Sequence, residues 1–328
     1  MLLLASTLAA IVILVLAVRF ATAMPGSSYR GALPELREEE REVCDRMQRH
    51  VRVLAGDIGE RNMWHATALD AAAAYVEEAL AGLGYNLRAQ SYEVRGRSVR
   101  NLDAELRGAD RSKEIVLIGA HYDSVLGSPG ANDNATGVAA LLELARMFVG
   151  REVSRTVRFA AFANEEPPFC FTRDMGSRVY ARQARRDGER IVAMFSLETI
   201  GYYSDANGSQ RYPLPFGLFY PRNGNFIGFV GNLSSHRLVR RCVASFRRHA
   251  EFPSEGVAAP GYLPGIFWSD HWPFWREGYR AVMVTDTAPF RYPYYHTSAD
   301  TPDKVDYERT ARVVVGLAAV LEDLVGSR

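Results

Sequence analysis

The chain has 328 residues, of which 48% are hydrophobic and 23% are charged. This is the composition of an ordinary globular protein, and it excludes a disordered or fibrous chain. The 39 basic and 38 acidic residues leave a net charge of +1, so no overall positive field favours nucleic acid as a partner. Three cysteines, Cys44, Cys170 and Cys242, are too few and too scattered for a disulfide framework or a thiolate zinc site.

Residues 1–23 form an apolar N-terminal segment. Leu2 to Val18 carry no charge, and Ala21-Thr22-Ala23 resembles a small-residue cleavage site. Two interpretations stay open: a signal peptide that is removed, or an anchor that stays, although about 17 apolar residues are at the lower limit for a membrane span. Both predict export, with a catalytic domain that is membrane-anchored and extracytoplasmic, or secreted or periplasmic after cleavage.

The remaining chain is predicted to form one domain. Residues 24–34, with their Pro, Gly and Ser, are typical of a linker. Residues 35–328 show no internal repeat and no second block of composition, which favours a single domain. The sequence leaves the oligomeric state open.

Short apolar strands alternate with helices along this domain. Glu114 to Ala120 and Thr156 to Ala163 flank a helix from Ala135 to Phe148, which is a βαβ unit. The pattern predicts an α/β fold with three αβα layers around a twisted, mostly parallel or mixed central sheet. Further helices are predicted over Glu35–Arg52, Thr67–Leu83, Met175–Arg186 and Tyr307–Val325, and further strands over Leu87–Val94, Ser98–Leu106, Ile191–Leu197, Phe226–Val230 and Ala281–Thr285.

Polar residues follow several of these strands where they end. In open α/β sheets, ligands bind at the carboxyl ends of the strands. His121 directly follows the first βαβ strand, and Asp123, two residues on, is predicted to accept the other ring N–H of the imidazole and fix its tautomer. Asp133 lies in a Gly-rich turn before a helix, a position where an acid on its own is an ordinary turn or cap residue.

The next strand ends in two adjacent acids, Glu165 and Glu166. Two neighbouring carboxylates repel each other unless a cation or a proton lies between them. Because adjacent side chains diverge, one can bind a metal while the other faces the reacting water, which predicts a ligand and a general base.

Glu198, at a third strand end, and His296, in a later loop, complete the pattern. Imidazole and carboxylate ligands without thiolates suit catalytic zinc, or manganese or cobalt in its place. The predicted metal ligands are His121, Asp133, Glu166, Glu198 and His296, enough for two Zn²⁺ ions with one bridging carboxylate, and one ion is the alternative.

Four segments, GAHYDS, GANDNATGVAALLELAR, FANEEPP and YYHTSADTPDKV, occur in this order within residues 46–326. They resemble metallopeptidase family 28, the co-catalytic zinc aminopeptidases that are related to glutaminyl cyclases. The resemblance implies that Asp133 bridges two zinc ions, that the peptide after it is cis, that Glu165 is the general base and that Tyr295 hydrogen-bonds the developing oxyanion. The implied activity is removal of N-terminal residues from peptide substrates.

Glu198 departs from the resembling family, which has Asp at that strand end. The longer side chain changes the geometry at one metal, and this keeps a single-zinc transferase like glutaminyl cyclase as an alternative. A non-catalytic, peptidase-like ectodomain is a second alternative, which the intact Glu165-Glu166 pair disfavours.

Ser269-Asp270-His271, before an aromatic stretch, also resembles a family segment that lines the substrate pocket. No G-x-S-x-G elbow accompanies it, so a Ser-His-Asp triad is disfavoured. Asp270 and His271 are predicted to support the metal ligands or to line the pocket, and nearby aromatic residues, Phe267, Trp268, Phe274, Trp275 and Tyr294, predict a pocket for apolar side chains.

Overall fold

The computed structural model describes residues 6–7, 12, 15–16, 18–213 and 216–326. Much of the predicted signal or anchor segment, residues 1–23, therefore lies outside the described residues, although residues 18–22 are helical. Within the described ranges, none of the helices combines the length and the apolar character that crossing a bilayer requires.

A single mixed sheet of eight strands forms the centre of the domain. The strands are β1 (Leu87–Val94), β2 (Arg97–Leu106), β3 (Arg111–His121), β4 (Arg155–Phe162), β5 (Arg190–Glu198), β6 (Ile227–Asn232), β7 (Ser254–Ala259) and β8 (Ala281–Thr285). Their order is β1-β2-β4-β3-β5-β8-β6-β7. The central strands β4, β3, β5 and β8 are parallel to one another, whereas β6 runs antiparallel to β8 and parallel to β7.

Helices cover both faces of the sheet, so the predicted three-layer α/β fold is confirmed. The helices are α1 (Glu38–Val51), α2 (Ala66–Gly82), α3 (Thr136–Phe148), α4 (Gly176–Arg186), α5 (His236–His249), α6 (His271–Arg276), α7 (Ala288–Arg291) and α8 (Tyr307–Val325). Alternate residues of a strand point to opposite faces. In β3, Val116 and Ile118 join the large core with α1, α2, α3, α5 and α8, and Leu117 joins the smaller core with α4 and α6.

The end of the sheet beyond β8 differs most from the sequence prediction. Strand β7 was not predicted, because its sequence, SEGVAA, is short and has no alternating hydrophobic pattern. Helix α5 carries Arg240, Arg241, Arg247 and Arg248, and its opposite side packs Val239, Cys242 and Phe246 into the core.

Helix α1 begins at Glu38, three residues after the predicted start, and continues as a π-helix over Arg52–Ile58 to Gly59. Gly59 has φ +78°, a left-handed conformation that glycine adopts without a steric penalty. The residues that follow, 60–62, lie at the edge of the sheet where β3 ends. The backbone N–H of Arg61 donates to Ser124 Oγ at 3.1 Å, and its carbonyl oxygen accepts the Ser124 N–H at 3.0 Å.

Residues 24–34, predicted as a linker, lie against the domain. Met24 packs against the large core, and Arg247 Nη1 donates to the carbonyl oxygens of Pro25 and Gly26, each at 3.1 Å. The guanidinium of Arg312 donates to the carbonyl oxygen of Pro34 at the other end of the segment. The segment is therefore bound to the domain surface at both ends.

Gly316 allows α8 to approach α5 closely. A Cβ atom at this position would lie 2.5 Å from Cε2 of Phe246 and 2.9 Å from Cβ of Ala250. We expect Gly316→Ala to destabilise the protein by roughly 1–3 kcal/mol, because a close-packed core accommodates an added methyl group only by moving side chains or backbone. Urea unfolding measures the effect.

The matched control is Gly82→Ala at the end of α2, where an added Cβ would meet no atom within 4 Å. We expect this variant to be neutral or slightly more stable, by up to about 0.5 kcal/mol, because alanine has the lower backbone entropy in the unfolded chain. Equal stability of Gly316→Ala and wild type would contradict the close approach of the two helices.

Candidate metal centre

The predicted ligands come together at one edge of the sheet. His121 is the last residue of β3 and Glu198 is the last residue of β5. Glu165 and Glu166 follow β4 after a short loop, and Asp133 lies in the tight turn Ala131–Ala135 before α3. Because these central strands are parallel, their carboxyl ends meet at the same edge. We call this the site edge, and the opposite edge of the sheet the far edge.

The five predicted ligands form two groups that share Asp133. In the first group, His121 Nε2 lies 3.4 Å from Asp133 Oδ1 and 3.3 Å from Glu198 Oε2. In the second, His296 Nε2 lies 3.1 Å from Asp133 Oδ2 and 3.3 Å from Glu166 Oε2. One oxygen of Asp133 thus faces each group, which is the arrangement a bridging carboxylate needs.

These atoms fit a metal ion better than they fit one another. His121 Nε2, Asp133 Oδ1, Glu166 Oε1 and His296 Nε2 are buried and have no hydrogen-bond partner within the described part of the chain. The donor atoms of each group lie within 4.8 Å of one another. Buried polar atoms without partners cost stability, and nitrogen and carboxylate oxygen are the donors that catalytic zinc uses.

The tautomer of His121 follows from its contacts with Asp123. The ring Nδ1 lies 3.2 Å from the backbone carbonyl oxygen of Asp123 and 3.4 Å from its carboxylate oxygen Oδ1. Both are acceptors, so the Nδ1 atom carries the proton and the Nε2 lone pair faces the ligand group. The Asp123 carboxylate also accepts hydrogen bonds from the backbone N–H groups of Glu165 and Glu166, each at 3.1 Å. It therefore fixes the positions of the imidazole and of both glutamates relative to one another.

Asp300, to which the sequence analysis gave no role, joins the two loops that carry Asp133 and His296. Its carboxylate accepts the backbone N–H of Asn132 at 2.8 Å and that of Asp133 at 3.1 Å. It also accepts the hydroxyl of Tyr292 at 2.7 Å, from the segment leading to His296. Its occurrence in the YYHTSADTPDKV segment was the available sequence signal.

Asn134 connects the same turn to the end of β5. Its amide nitrogen donates to the Leu197 carbonyl at 2.7 Å, and its Oδ1 accepts the backbone N–H of Thr199 at 3.1 Å. The Asp133–Asn134 peptide is cis, as the resemblance implies. The turn that presents Asp133 is therefore fixed relative to Glu198, the neighbouring ligand residue.

Arg61 is a fully buried cation beneath the centre, and the sequence gave no reason to select it, since arginine is expected at surfaces. Its guanidinium donates to backbone carbonyl oxygens of Tyr122 at 2.7 Å and Gly130 at 2.9 Å, on either side of the ligand loops. Burial lowers the pKa of Arg61 to about 10, while the charges of Asp123, Asp300 and Asp133 oppose that change. It remains a cation at neutral pH and offsets part of the negative charge.

Glu198 accepts a hydrogen bond from Ser269, which is itself hydrogen-bonded to Ser196. Ser269 Oγ donates to Glu198 Oε2 at 2.6 Å, and Ser196 Oγ lies 2.8 Å from Ser269 Oγ, all buried. The same glutamate oxygen faces His121 Nε2 at 3.3 Å. The serine hydrogen bond thus sets the position of the one ligand that departs from the resembling family.

Glu165 is buried beside Glu166 and belongs to neither of the two groups that share Asp133. Burial raises the pKa of Glu165 well above its usual range, the nearby charge of His121 opposes this, and repulsion from Glu198 and Glu166 adds to it. The thiol of Cys170 lies 3.8 Å from Glu165 Oε1. A carboxyl group with a raised pKa is one that can both accept and return a proton near neutral pH.

Tyr295 stacks on His296, with ring centroids 3.9 Å apart, and lines a small cavity together with Glu198. Burial and the surrounding carboxylates raise the pKa of Tyr295, so its phenol keeps its proton and stays a hydrogen-bond donor. His296 has φ +58°, as does Asn164 before the two glutamates. Such left-handed backbone at non-glycine residues costs energy and clusters at functional sites.

Asp270 and His271 are both fully buried but have different surroundings. Burial raises the pKa of Asp270 to about 7, against the nearby charge of His121, and its carboxylate in turn raises the pKa of Glu165. His271 Nε2 lies 2.7 Å from the Ile266 carbonyl oxygen, and its ring meets Trp275 edge to face. The charge of Asp270 thus acts on the side chains of the centre, whereas His271 packs in the core beside it.

An apolar cavity of about 80 Å³ adjoins the smaller cavity that contains Glu198 and Tyr295. Phe290 lines both cavities and Trp268 lines the smaller one. Of the other aromatic residues predicted for a pocket, Phe274 lies in the core and Tyr294 lies beneath Lys304. Further lining residues of the larger cavity are Phe226, Phe229, Val257 and Ile266.

Several known proteins have sequences similar to that of this chain. The sequence model of peptidase family M28 matches residues 101–321. YfbL of Escherichia coli (strain K12), an uncharacterized protein, is 36% identical over 286 residues, which are 84% of this chain and 87% of that one. The chain also matches fungal leucine aminopeptidases, among them a probable one from Arthroderma otae at 27% identity, and spans about half their length.

Two solved structures show the same fold. A zinc aminopeptidase from Bacillus subtilis superposes with a TM-score of 0.66 at 16% identity, covering 86% of this chain and 95% of that one. A glutaminyl cyclase from Fimbriiglobus ruber superposes with a TM-score of 0.63 at 22% identity, covering 92% of this chain and 99% of that one.

We expect Ser269→Ala to weaken zinc binding at the group of His121, Asp133 and Glu198 by roughly 10–100-fold, because it removes the hydrogen bond that orients the Glu198 carboxylate. Competition against a chromophoric chelator measures the affinity. The control is Ser245→Ala, which removes a buried hydroxyl bound to Asp323, away from the centre. Equal zinc affinity in both variants and wild type would show that Ser269 does not orient this ligand.

The metal-free protein should become less stable as the pH rises from about 5 to 8. Burial and repulsion from Asp133 raise the pKa of Glu166 to about 7, and contacts with Asp133 and Glu166 raise that of His296 to about 11 against the effect of burial. The folded chain therefore binds more protons than the unfolded chain in this range, and stability that is full below pH 4.5 is lost as the pH rises.

Thermal unfolding of the chelator-treated protein at several pH values tests this, with an expected decrease of roughly 5 °C or more between pH 5 and pH 8. Zinc-loaded protein is the control, and its unfolding temperature should fall less, because the metal takes the place of the protons. A metal-free protein that gains stability over this range would contradict the clustering of these groups.

Proposed function

Because this chain belongs to peptidase family M28, we propose that it is a metal-dependent aminopeptidase, which removes N-terminal residues from peptides with Glu165 as the general base. The observation that carries the proposal is the shared Asp133, with one oxygen toward His121 and the other toward His296. Glu165 belongs to neither of these two groups, although its carboxylate also lies within donor distance of His121 and Glu166.

Two Zn²⁺ ions per chain are part of the proposal. His121, Asp133 and Glu198 would hold one ion, and Asp133, Glu166 and His296 would hold the other. Bound zinc would polarise the scissile carbonyl and make a water more acidic. Support comes from the four unpartnered donor atoms and from the excess of buried carboxylates over buried cations at the site edge.

Glu165 moves the proton. It takes the proton of the attacking water at its carboxylate and returns it to the nitrogen of the leaving amine. The raised pKa of Glu165 suits both steps, because a strongly acidic carboxyl would hold the proton too weakly to deliver it. Its backbone is held by the Asp123 carboxylate, which keeps the base at a constant distance from the ligands.

Tyr295 stabilises the oxyanion in this proposal. Its phenol stays protonated and lies at the wall of the cavity that contains Glu198, stacked on the ligand His296. A preorganised donor at the place where negative charge develops lowers the barrier of the reaction more than it strengthens substrate binding.

The substrate proposal follows from the apolar cavity beside the centre. Its wall is formed by Phe226, Phe229, Val257, Ile266 and Phe290. The side chain of the N-terminal residue of the peptide would occupy it, which favours bulky apolar residues, since burial of an apolar side chain contributes about 1.5–3 kcal/mol.

A glutaminyl cyclase is the second candidate. It is favoured by the fold shared with the cyclase of Fimbriiglobus ruber over nearly the full length of both chains and by Glu198, whose carboxylate is partly engaged by Ser269. One zinc ion at Asp133, Glu166 and His296 would suffice for it. Zinc content per chain, with assays of a leucyl anilide and of a peptide with N-terminal glutamine, separates the two candidates: cyclisation without hydrolysis would reject the aminopeptidase.

We expect Glu165→Gln to lower kcat for leucyl-anilide hydrolysis by about 10²–10⁴-fold, because the amide cannot accept the proton of the water. Zinc content should not change, since Glu165 is not among the proposed ligands. The control is Glu251→Gln, which has the same chemistry at an exposed position after α5. Hydrolysis at the wild-type rate by a zinc-loaded Glu165→Gln protein would exclude Glu165 as the base.

A further inference from the structure

The N-terminal residues bind along helix α5. The ring of Phe20 stacks on His236 with centroids 3.9 Å apart, and His236 Nε2 lies 3.0 Å from the Phe20 carbonyl oxygen. The chain then follows α5 toward its C-terminus. Its further contacts are from Arg240 to the Ala23 carbonyl, from Arg247 to the Pro25 and Gly26 carbonyls, and from the Ser254 N–H to Ser28 Oγ.

The strand pairing shows where this segment meets the domain. Thr285, at the site edge of β8, pairs with Gly228 near the start of β6, because the two strands are antiparallel. Strand β6 therefore ends at the far edge, and α5 begins there at His236 directly afterwards. Residues 18–20 consequently lie at the far edge of the sheet.

The sequence that precedes this point is apolar. Residues 2–18 contain no charged side chain, and Arg19 follows them. A stretch of this kind favours a hydrocarbon environment over water. Because residues 20–28 contact the domain along α5, no free linker separates Arg19 from the far edge.

Exposed apolar side chains surround the same point. Phe20 is 53% exposed, Leu233 is 51% exposed and Tyr262 is 79% exposed. Leu233 and Tyr262 belong to neighbouring segments, since a Cβ atom on Gly261 would lie 3.4 Å from Cβ of Asn232. Other exposed apolar side chains lie away from the N-terminal segment, among them Trp64, Leu126 and Trp268 near the site edge and Val149 after α3.

Arginines complete this surface. Arg237 lies in the first turn of α5 and Arg280 precedes β8, and both are exposed. The two segments are joined by the hydrogen bond from the Ala281 N–H to Ser235 Oγ at 3.2 Å. Helix α5 has five arginines, two histidines and no acidic residue, although the whole chain has a net charge of only +1. Acids at the far edge include Glu114, which is paired with Arg155, and Glu189, which is paired with Arg158.

We propose that the far edge of the sheet lies against a bilayer containing anionic phospholipids, into which residues 2–18 insert, so that the candidate metal centre faces away from the membrane. Phe20, Leu233 and Tyr262 lie at the level of the headgroups, where aromatic side chains are enriched. Arg237 and Arg280 bind lipid phosphates, each strengthening the contact about fivefold at low salt.

This arrangement does not depend on the reaction at the centre. It requires that the N-terminal segment is retained and that the domain has one preferred orientation on the lipid. With the site edge toward the aqueous side, peptides reach Glu165 without passing between the domain and the membrane.

Hydrogen exchange of the full chain in vesicles tests the orientation. Vesicles of phosphatidylcholine with phosphatidylglycerol are compared with detergent micelles. We expect the amides of residues 232–240 and 261–263 to exchange at least fivefold more slowly in the vesicles, and those of residues 124–128 and 169–171, at the site edge, to be unchanged.

A pair of double variants tests the electrostatic contact. The double variant Arg237→Gln with Arg280→Gln should lose the slower exchange at the far edge in anionic vesicles. We expect its affinity for the anionic surface to fall by a factor of about 30. The matched control, Arg49→Gln with Arg52→Gln, removes the same amount of charge at the end of α1. This control should keep the slower exchange at the far edge. Both variants should retain the unfolding temperature and the zinc content of the wild type.

Three results would overturn the proposal. One is full chain that fails to float with the vesicles. Another is membrane-associated protein whose intact mass shows that it begins after Ala23. The third is slower exchange that is equal at both edges of the sheet, or greater at the site edge, or insensitive to the far-edge double variant.

Discussion

The mutual repulsion of buried carboxylates at the site edge is the constraint on which the rest of the structure depends. Asp133, Glu165, Glu166 and Glu198 are all buried there with two imidazoles and the more distant cation of Arg61. Such a cluster is unfavourable unless protons or metal ions balance its charge. Burial, together with this repulsion, raises the pKa values of Glu165 and Glu166 in the metal-free protein. The same charge is what a site for divalent ions requires.

Rigid hydrogen bonding lets the fold hold this cluster together. Asp123 ties the end of β3 to the glutamates after β4, Asp300 ties the Asp133 turn to the His296 loop, and Asn134 ties that turn to β5. Each of these residues binds backbone groups of a segment that carries a predicted ligand, so hydrogen bonds of the protein itself position these side chains. This preorganisation also explains why left-handed backbone is tolerated at Asn164 and His296.

The two edges of the sheet carry different groups of residues. Parallel central strands collect acids and imidazoles at the site edge, whereas the reversal of β6 places the start of α5 and the N-terminal residues at the far edge. The candidate metal centre and the proposed membrane contact are thereby separated by the length of the strands. The apolar cavity lies on the side of β6 and β7, so the late part of the chain shapes the proposed substrate pocket, while β3, β4 and β5 lead into four of the predicted ligands.

The sequence by itself determined the α/β fold and the residues that meet at the site edge, because strand ends are recognisable from short apolar runs and ligand types from their chemistry. His121, Asp133, Glu166, Glu198 and His296 could all be selected in this way. Tertiary structure alone decided the roles of Arg61, Asp300 and Ser269, since a buried arginine or a serine that orients a distant glutamate leaves no local pattern. It also decided that residues 24–34 lie along the domain, because the carbonyl groups that α5 and α8 bind are the same in every sequence, and only the fold brings the arginines to them.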